Sequence, residues 1–463
     1  GAGWMARRLA TTPSNLKDPA WLAGQAERVA EDSGLSVEVW DEQRLAEAVR
    51  AFIARTESLR LQFFLRDGVP LQRLSSQPPV PVEVADFSAA PRPDEAFSHW
   101  CQRAVSTPFE LLERPLYRFA VLRKSADEVV LFANVHHLIS DAVSLGLFGR
   151  EVSRIYERLG VKGPRASYPG FIEEEQRYLT SEECAVDRAA WLRQLESFDT
   201  PSLLGRPGGR QPSAKATRHS RELDAAETRA LQAFVRRDGT TLARLFTTLC
   251  AVFVGRVSAK RDVCIGTYTH NRFSREQLGM FGMFVGTLPL RFQLDPAETF
   301  SAALGRCALT VQKALKAARY PYDRLLQELG QRGALFDVVI SHQTFKYDKT
   351  LDGAPVSIQW LFNGYEAHAL AIHVSDRVDE GRLTLDFDFR DDSFAEGVPE
   401  QLVESFLHLL RTTIEGSPEQ TLSGLSLVSP RQWAALRAHN PAAAEFPKHL
   451  QAQALFEQTA RAR

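Results

Sequence analysis

The run VVLFANV (129–135) is almost entirely apolar and rich in β-branched residues, and it leads straight into two adjacent histidines, His136 and His137, with Asp141 four residues past the second. Such a run reads as a strand, and YRFAVL (117–122), which alternates in polarity, reads as its partner across a polar turn. The histidine pair is therefore expected at the end of a central, buried strand. The stretch that follows, SDAVSLGLFGREVSRIYERLG, sets Leu147, Phe148, Val152 and Ile155 at helical spacing, with Ser140 or Asp141 in the cap position and Gly160 at the far end. A strand-to-helix turn carrying two imidazoles commits this part of the chain to a mixed α/β fold.

Neighbouring residues on a strand point to opposite faces, so one imidazole faces any given cleft while the other packs. Asp141 can curl back toward the turn and hold it through a charged hydrogen bond, which fixes where the outward ring points. An imidazole held in this way can take a proton from an attacking nucleophile. Packing without chemistry is the competing reading. A metal site is disfavoured, because ligands at adjacent strand positions diverge.

At 463 residues the chain exceeds the usual size of one core, so two lobes are expected. The segment 41–60 places Leu45, Val49, Phe52 and Ile53 on one helical face. Gly, Pro and Ser concentrate without apolar period in 201–218, which sets a crossover there between lobes at 1–200 and 219–438, with a linker and a further segment at 439–463. Helical patterns at DAAETRALQAFVRRDG, TLARLFTTLCAVFVGRVS, FSAALGRCALTVQKALKAA and GVPEQLVESFLHLLRTTIEG, and strands at DVCIGTYTH, LFDVVISHQTF and GRLTLDFDFR, make the second half α/β as well. Phe281, Phe284 and Val285 read as core at the lobe junction, and RQLESFDT as a solvated helix face. A formal net charge of −1 recruits neither nucleic acid nor an anionic membrane. Five scattered cysteines point to reduced, buried thiols and a cytoplasmic setting, and no apolar run reaches membrane-spanning length.

HHLISDA resembles the HHxxxDG signature of the superfamily of nonribosomal peptide synthetase condensation domains and chloramphenicol acetyltransferase. AGWMARRLATTPSNL, ESLRLQFF, DVCIGTYTHNR, GMFVGTLPLRF, ARYPYDRLLQELG and LFDVVISHQ resemble further condensation-domain motifs in the same order, along nearly the whole chain. The resemblance implies an α/β (α+β) fold of two acetyltransferase-like lobes in a V, a pseudo-dimer with a central tunnel. It implies that His137 acts on the acceptor amine, that His136 is structural, and that Asp141 forms a salt bridge to Arg60. Ala142, Gly286, Gln343 and Tyr322 are implied as tunnel-lining positions. No cofactor is expected on the domain itself: a phosphopantetheine arm comes with donor and acceptor carrier proteins, or acyl coenzyme A serves as donor. LQAQALFEQTARAR resembles the first helix of an adenylation domain, which implies such a neighbour in a monomeric assembly-line protein.

Three departures stand out. Ala142 replaces the motif glycine and Val143 the aromatic often found after it, which is expected to narrow the tunnel near the imidazole. Gly286 replaces an asparagine common in the family and is expected to widen the same neighbourhood. Residues 17–39 are longer and more charged than the strand segment expected there, which, with the single-residue changes, favours an acyl donor as much as a peptidyl one. The rivals are a free-standing acyltransferase on a soluble acceptor and a catalytically silent carrier-recruiting domain.

Overall fold

The computed structural model describes residues 19–33, 42–157, 167–198, 203–205, 213–330, 333–343, 350–375, 383–417, 419–439 and 451–461. Two helices open the described chain, α1 (Pro19–Ser33) and α2 (Glu42–Arg55). The helix α1 occupies the charged segment where a strand was expected. The apolar stripe of α2, Leu45, Val49, Phe52 and Ile53, is fully buried. An antiparallel hairpin follows, β1 (Leu61–Arg66) with β2 (Val69–Leu74), and then β3 (Glu83–Asp86), α3 (Pro93–Ser106), β4 (Tyr117–Arg123) and β5 (Val129–Val135).

The first sheet runs β3-β4-β5. Alternation along β4 sends Phe119 and Val121 into the core under α2 and Ala120 and Leu122 into a smaller cluster with Cys101, beside Trp100 of α3. Helices thus cover both faces. Among the described residues β5 is an edge strand, half-buried along most of its length, and not the central buried strand its composition suggested. Three helices come next: α4 (Ala142–Tyr156), α5 (Tyr168–Tyr178) and α6 (Glu182–Gln194). Gly160, the expected terminator of α4, lies outside the described residues.

The second sheet has six strands in the order β6-β13-β12-β9-β7-β8, formed by β6 (Ala216–Leu223), β7 (Asp262–Thr269), β8 (Gly286–Gln293), β9 (Val338–Gln343), β12 (Leu370–Ser375) and β13 (Leu383–Arg390). A two-residue pair, β10 (Thr350–Leu351) and β11 (Ala354–Pro355), stands apart from it. Between these strands come α7 (Ala225–Arg237), α8 (Leu242–Ser258), the single turn α9 (Arg275–Leu278), α10 (Phe300–Lys316) and α11 (Tyr322–Glu328), and after them α12 (Val398–Glu415), α13 (Pro430–His439) and α14 (Ala452–Arg461). Phe387 and Ile372 face the covering helices, where Phe387 meets Phe406 of α12 at 5.4 Å.

The cores divide earlier than the glycine-rich segment. Tyr168, at the start of α5, belongs to the first core, whereas Tyr178, Cys184, Trp191, Leu195 and Phe198 belong to the second. The chain crosses along α5, and β6 begins inside 201–218. The segment RQLESFDT, expected to be solvated, buries Leu195 and Phe198 to 2% and 7% exposure. In the opposite direction Phe281 and Phe284 pack in the first core, as expected for junction residues, together with Met280, whereas Val285 is half-buried outside it. All five cysteines are buried, and among the described residues no single helix is long and apolar enough to cross a membrane.

Candidate active site

The edge strand β5 delivers His136 to a turn, and the two histidines separate there. His136 is half-buried and its ring meets Phe109 edge-on at 5.8 Å. Its backbone N–H donates to the Leu116 carbonyl at 2.8 Å, and its Nδ1 accepts the Leu138 N–H at 3.0 Å. Burial, and then the neighbouring His137, hold its pKa below the ordinary imidazole value. A neutral ring with Nδ1 accepting fixes the turn. His137, one residue on, is exposed.

Of the two cap candidates, Ser140 and Asp141, it is Asp141 that caps α4, accepting the Ser144 N–H at 2.9 Å. Its carboxylate also accepts from Ser144 Oγ (2.9 Å), Arg272 Nη1 (2.5 Å), Arg272 Nη2 (3.2 Å) and the Phe284 N–H (3.2 Å). Those contacts fill the lone-pair sites of a carboxylate. The ion pair is buried, with side-chain exposures of 0% for Arg272 and 1% for Asp141.

The partner of Asp141 is thus Arg272 and not Arg60. Arg60 closes a short 3₁₀ turn, Ser58–Arg60, its carbonyl accepts the Ser75 N–H, and its Nε is buried without a hydrogen-bond partner among the described residues. Arg272 has the better reach because it lies in the segment that the second lobe inserts beside α4. It also donates from Nε to the Gln277 carbonyl (3.1 Å) and from Nη2 to the Met280 carbonyl (3.0 Å), and stacks 4.0 Å over the Phe284 ring. Arg272 stands in the quoted stretch DVCIGTYTHNR, so the residue was visible; its partner was not.

Ser144, at 0% exposure, extends the joint: its Oγ accepts the Gly282 N–H at 3.0 Å and sits 2.8 Å from the Gly282 carbonyl. Tyr168 closes it, its hydroxyl lying 3.1 Å from both the carbonyl and the N–H of Met283. Burial pushes that phenol up to about 12. A Cβ at residue 282 would stand 2.1 Å from the Tyr168 ring, so glycine is required there.

The remaining expected positions scatter. Ala142 is the first residue of α4 and half-buried. Gly286 starts β8, but it does not open space: a Cβ there would lie 2.5 Å from Asn271 Nδ2, so the Asn271 carboxamide fills the room that an asparagine side chain would need. Tyr322 packs on the second core, tilted against Phe336 at 5.4 Å, with its hydroxyl accepting the Leu335 N–H. Gln343 ends β9 on the polar face of the second sheet, 3.3 Å from His373 Nδ1 and from Ser375 Oγ. On that face His373 Nε2 lies 3.2 Å from Asp388, and Arg218 donates to both Asp388 oxygens at 2.7 Å. Glu366, His373 and Asp388 come close enough to hold an ion, yet Arg218 already takes both oxygens of Asp388.

A model of the condensation domain matches residues 35–437. Surfactin synthase subunit 1 of Bacillus subtilis (strain 168) is 30% identical over 405 residues, 85% of this chain and 11% of its own length. Tyrocidine synthase 2 of Brevibacillus parabrevis is 27% identical over 430 residues, 91% of this chain and 12% of its own. The chain therefore spans about a tenth of the length of the curated relatives it matches. Among solved structures, the starter condensation domain of rhizomide synthetase RzmA in complex with C8-CoA matches with a TM-score of 0.75 at 23% identity, over 84% of this chain and 89% of that one. The first condensation domain of the calcium-dependent antibiotic synthetase, in complex with a substrate analogue, matches with a TM-score of 0.73 at 23% identity, over 84% and 91%. At such identity the likeness carries the fold, with its acetyltransferase-like lobes and open sheets.

Proposed function

This chain belongs to the condensation-domain family, and from that membership we propose that it joins a donor acyl or peptidyl thioester to the amine of an aminoacyl thioester on an acceptor carrier protein. The observation that carries the proposal is the exposed His137, set on a turn whose far end is anchored by the buried Asp141–Arg272 pair. The amine nitrogen bonds to the thioester carbonyl carbon, the ammonium proton passes to His137, and the carbon–sulfur bond breaks to release a thiolate that takes the proton back. An α-amine has a pKa of about 7.7–8.0, so a sizeable fraction is already neutral, and holding it against the thioester supplies several kcal/mol alongside proton transfer.

The donor is delivered on a carrier's phosphopantetheine arm or as acyl coenzyme A. The likeness to a starter domain holding C8-CoA supports a fatty-acyl donor. Carrier proteins and an adjacent adenylation domain are the partners, and the two lobes act as a monomer. Octanoyl coenzyme A and carrier-bound acyl and aminoacyl thioesters, each offered with a loaded acceptor carrier, test this by mass spectrometry of the product. Amide is expected from at least one donor, with His137→Ala slower by about 10²–10⁴-fold. No amide from any donor refutes the proposal; a carrier-recruiting module would be indifferent to His137→Ala.

A further inference from the structure

His270 follows β7 directly and is exposed, yet its ring is held: the Arg272 N–H donates to His270 Nδ1 at 3.1 Å. With Nδ1 accepting, a neutral ring carries its proton on Nε2. The same device, a backbone N–H two residues on donating to Nδ1, holds His136 at 3.0 Å on the facing segment. Between His270 and Arg272 sits Asn271 at a φ of +46°, in the left-handed region that a residue with a side chain occupies at a cost. Its Oδ1 is buried without a hydrogen-bond partner among the described residues, and its carboxamide fits only because residue 286 has no side chain. Two locally unfavourable features, the left-handed φ and the unpartnered Oδ1, thus shape one turn, and the glycine at 286 accommodates it. With Nδ1 occupied, Nε2 is the polar atom that this exposed ring keeps for another partner.

The turn is also tied to the reacting centre. Arg272 reaches Asp141 at 2.5 Å, so the segments bearing His270 and His137 flank one buried ion pair, one from each lobe. We propose that His270 is a second catalytic residue, its Nε2–H donating a hydrogen bond to the donor thioester's carbonyl oxygen as negative charge develops there; this rests on amide formation at His137. As the amine nitrogen bonds to carbon, the π pair moves onto oxygen, where Nε2–H holds it without giving up its proton. The pair then returns as the carbon–sulfur bond breaks, while His137 carries the amine's proton to the thiolate.

The test measures kcat, KM and melting temperature of wild type, His270→Ala and His270→Gln, using the donor thioester on which wild type makes amide. His270→Ala is expected to lower kcat about 100-fold, the effect of losing one oxyanion donor, with KM and melting temperature unchanged. His270→Gln, which restores an N–H donor, is expected to recover at least about tenfold of that loss. A kcat for His270→Ala within about threefold of wild type overturns the assignment while leaving amide formation standing. A rate loss that follows a fall in melting temperature, with no rescue by glutamine, also overturns it, since the ring would then be structural. If wild type itself forms no amide, the function proposed above fails first.

Discussion

Asp141 and Arg272 show how one carboxylate can do two jobs. The same oxygens cap α4 and neutralise a guanidinium that comes from 131 residues away. Removing one member strands the other as a buried charge, at about 3–5 kcal/mol. Asp141→Ala and Arg272→Ala are each expected to lower the unfolding free energy read from urea melts by that amount, and the double variant by clearly less than the sum, which a double-mutant cycle reads directly. The cap half of this arrangement was legible in the sequence, because Asp141 stands just ahead of an apolar helical stripe. The ion-pair half was not. A partner 131 residues away leaves no local period, and Arg60, assigned by resemblance, has a charge that the sequence cannot distinguish from that of Arg272.

At the scale of elements, the helices α2, α4, α7, α10 and α12 were legible because each has an apolar stripe, α8 because it is a long apolar run, buried on all sides over 245–255, and β4, β5, β7, β9 and β13 because their runs are apolar or alternate. The strand β6 was hidden: ATRHSREL carries charge on both sides of the pleat, and it is a strand because Arg218 and Ser220 meet Asp388 and Asp386 of β13. The strand β9 shows the opposite situation, with a polar residue turned into the covered face. His342 points at α8, 3.3 Å from Thr247 Oγ1, and burial drops its pKa to about 4 from the usual 6.5. The unfolded chain then holds more protons than the native one between these values, so stability is complete above pH 6.5 and falls as pH drops toward 4. The total is roughly 3 kcal/mol. Urea midpoints measured from pH 7 to pH 4 are expected to decline for wild type and to decline less for His342→Gln.

At the scale of the molecule, the halves are interleaved. Met280, Phe281 and Phe284 of the second lobe complete the first core, and α6 completes the second, where Trp191 donates its indole N–H to the Ala317 carbonyl at 2.8 Å. Phe281 meets Phe52 edge-on at 5.6 Å, and its carbonyl accepts the Ser58 hydroxyl at 2.7 Å. Cutting Phe281 to alanine is expected to cost about 3–5 kcal/mol and to shift one common calorimetric transition; a first lobe that melts alone, ahead of the second, would contradict the interleaving. The crossing along α5 also redraws where such a protein can be recombined. A chimera joined at the glycine-rich stretch inherits α6 from the wrong parent and asks one parent's tryptophan to dock in the other's interior. A breakpoint within α5, after Ile172 and ahead of Tyr178, keeps Tyr168 with the first core and α6 with its native surroundings, and leaves the inserted loop around Phe281 to travel with its host.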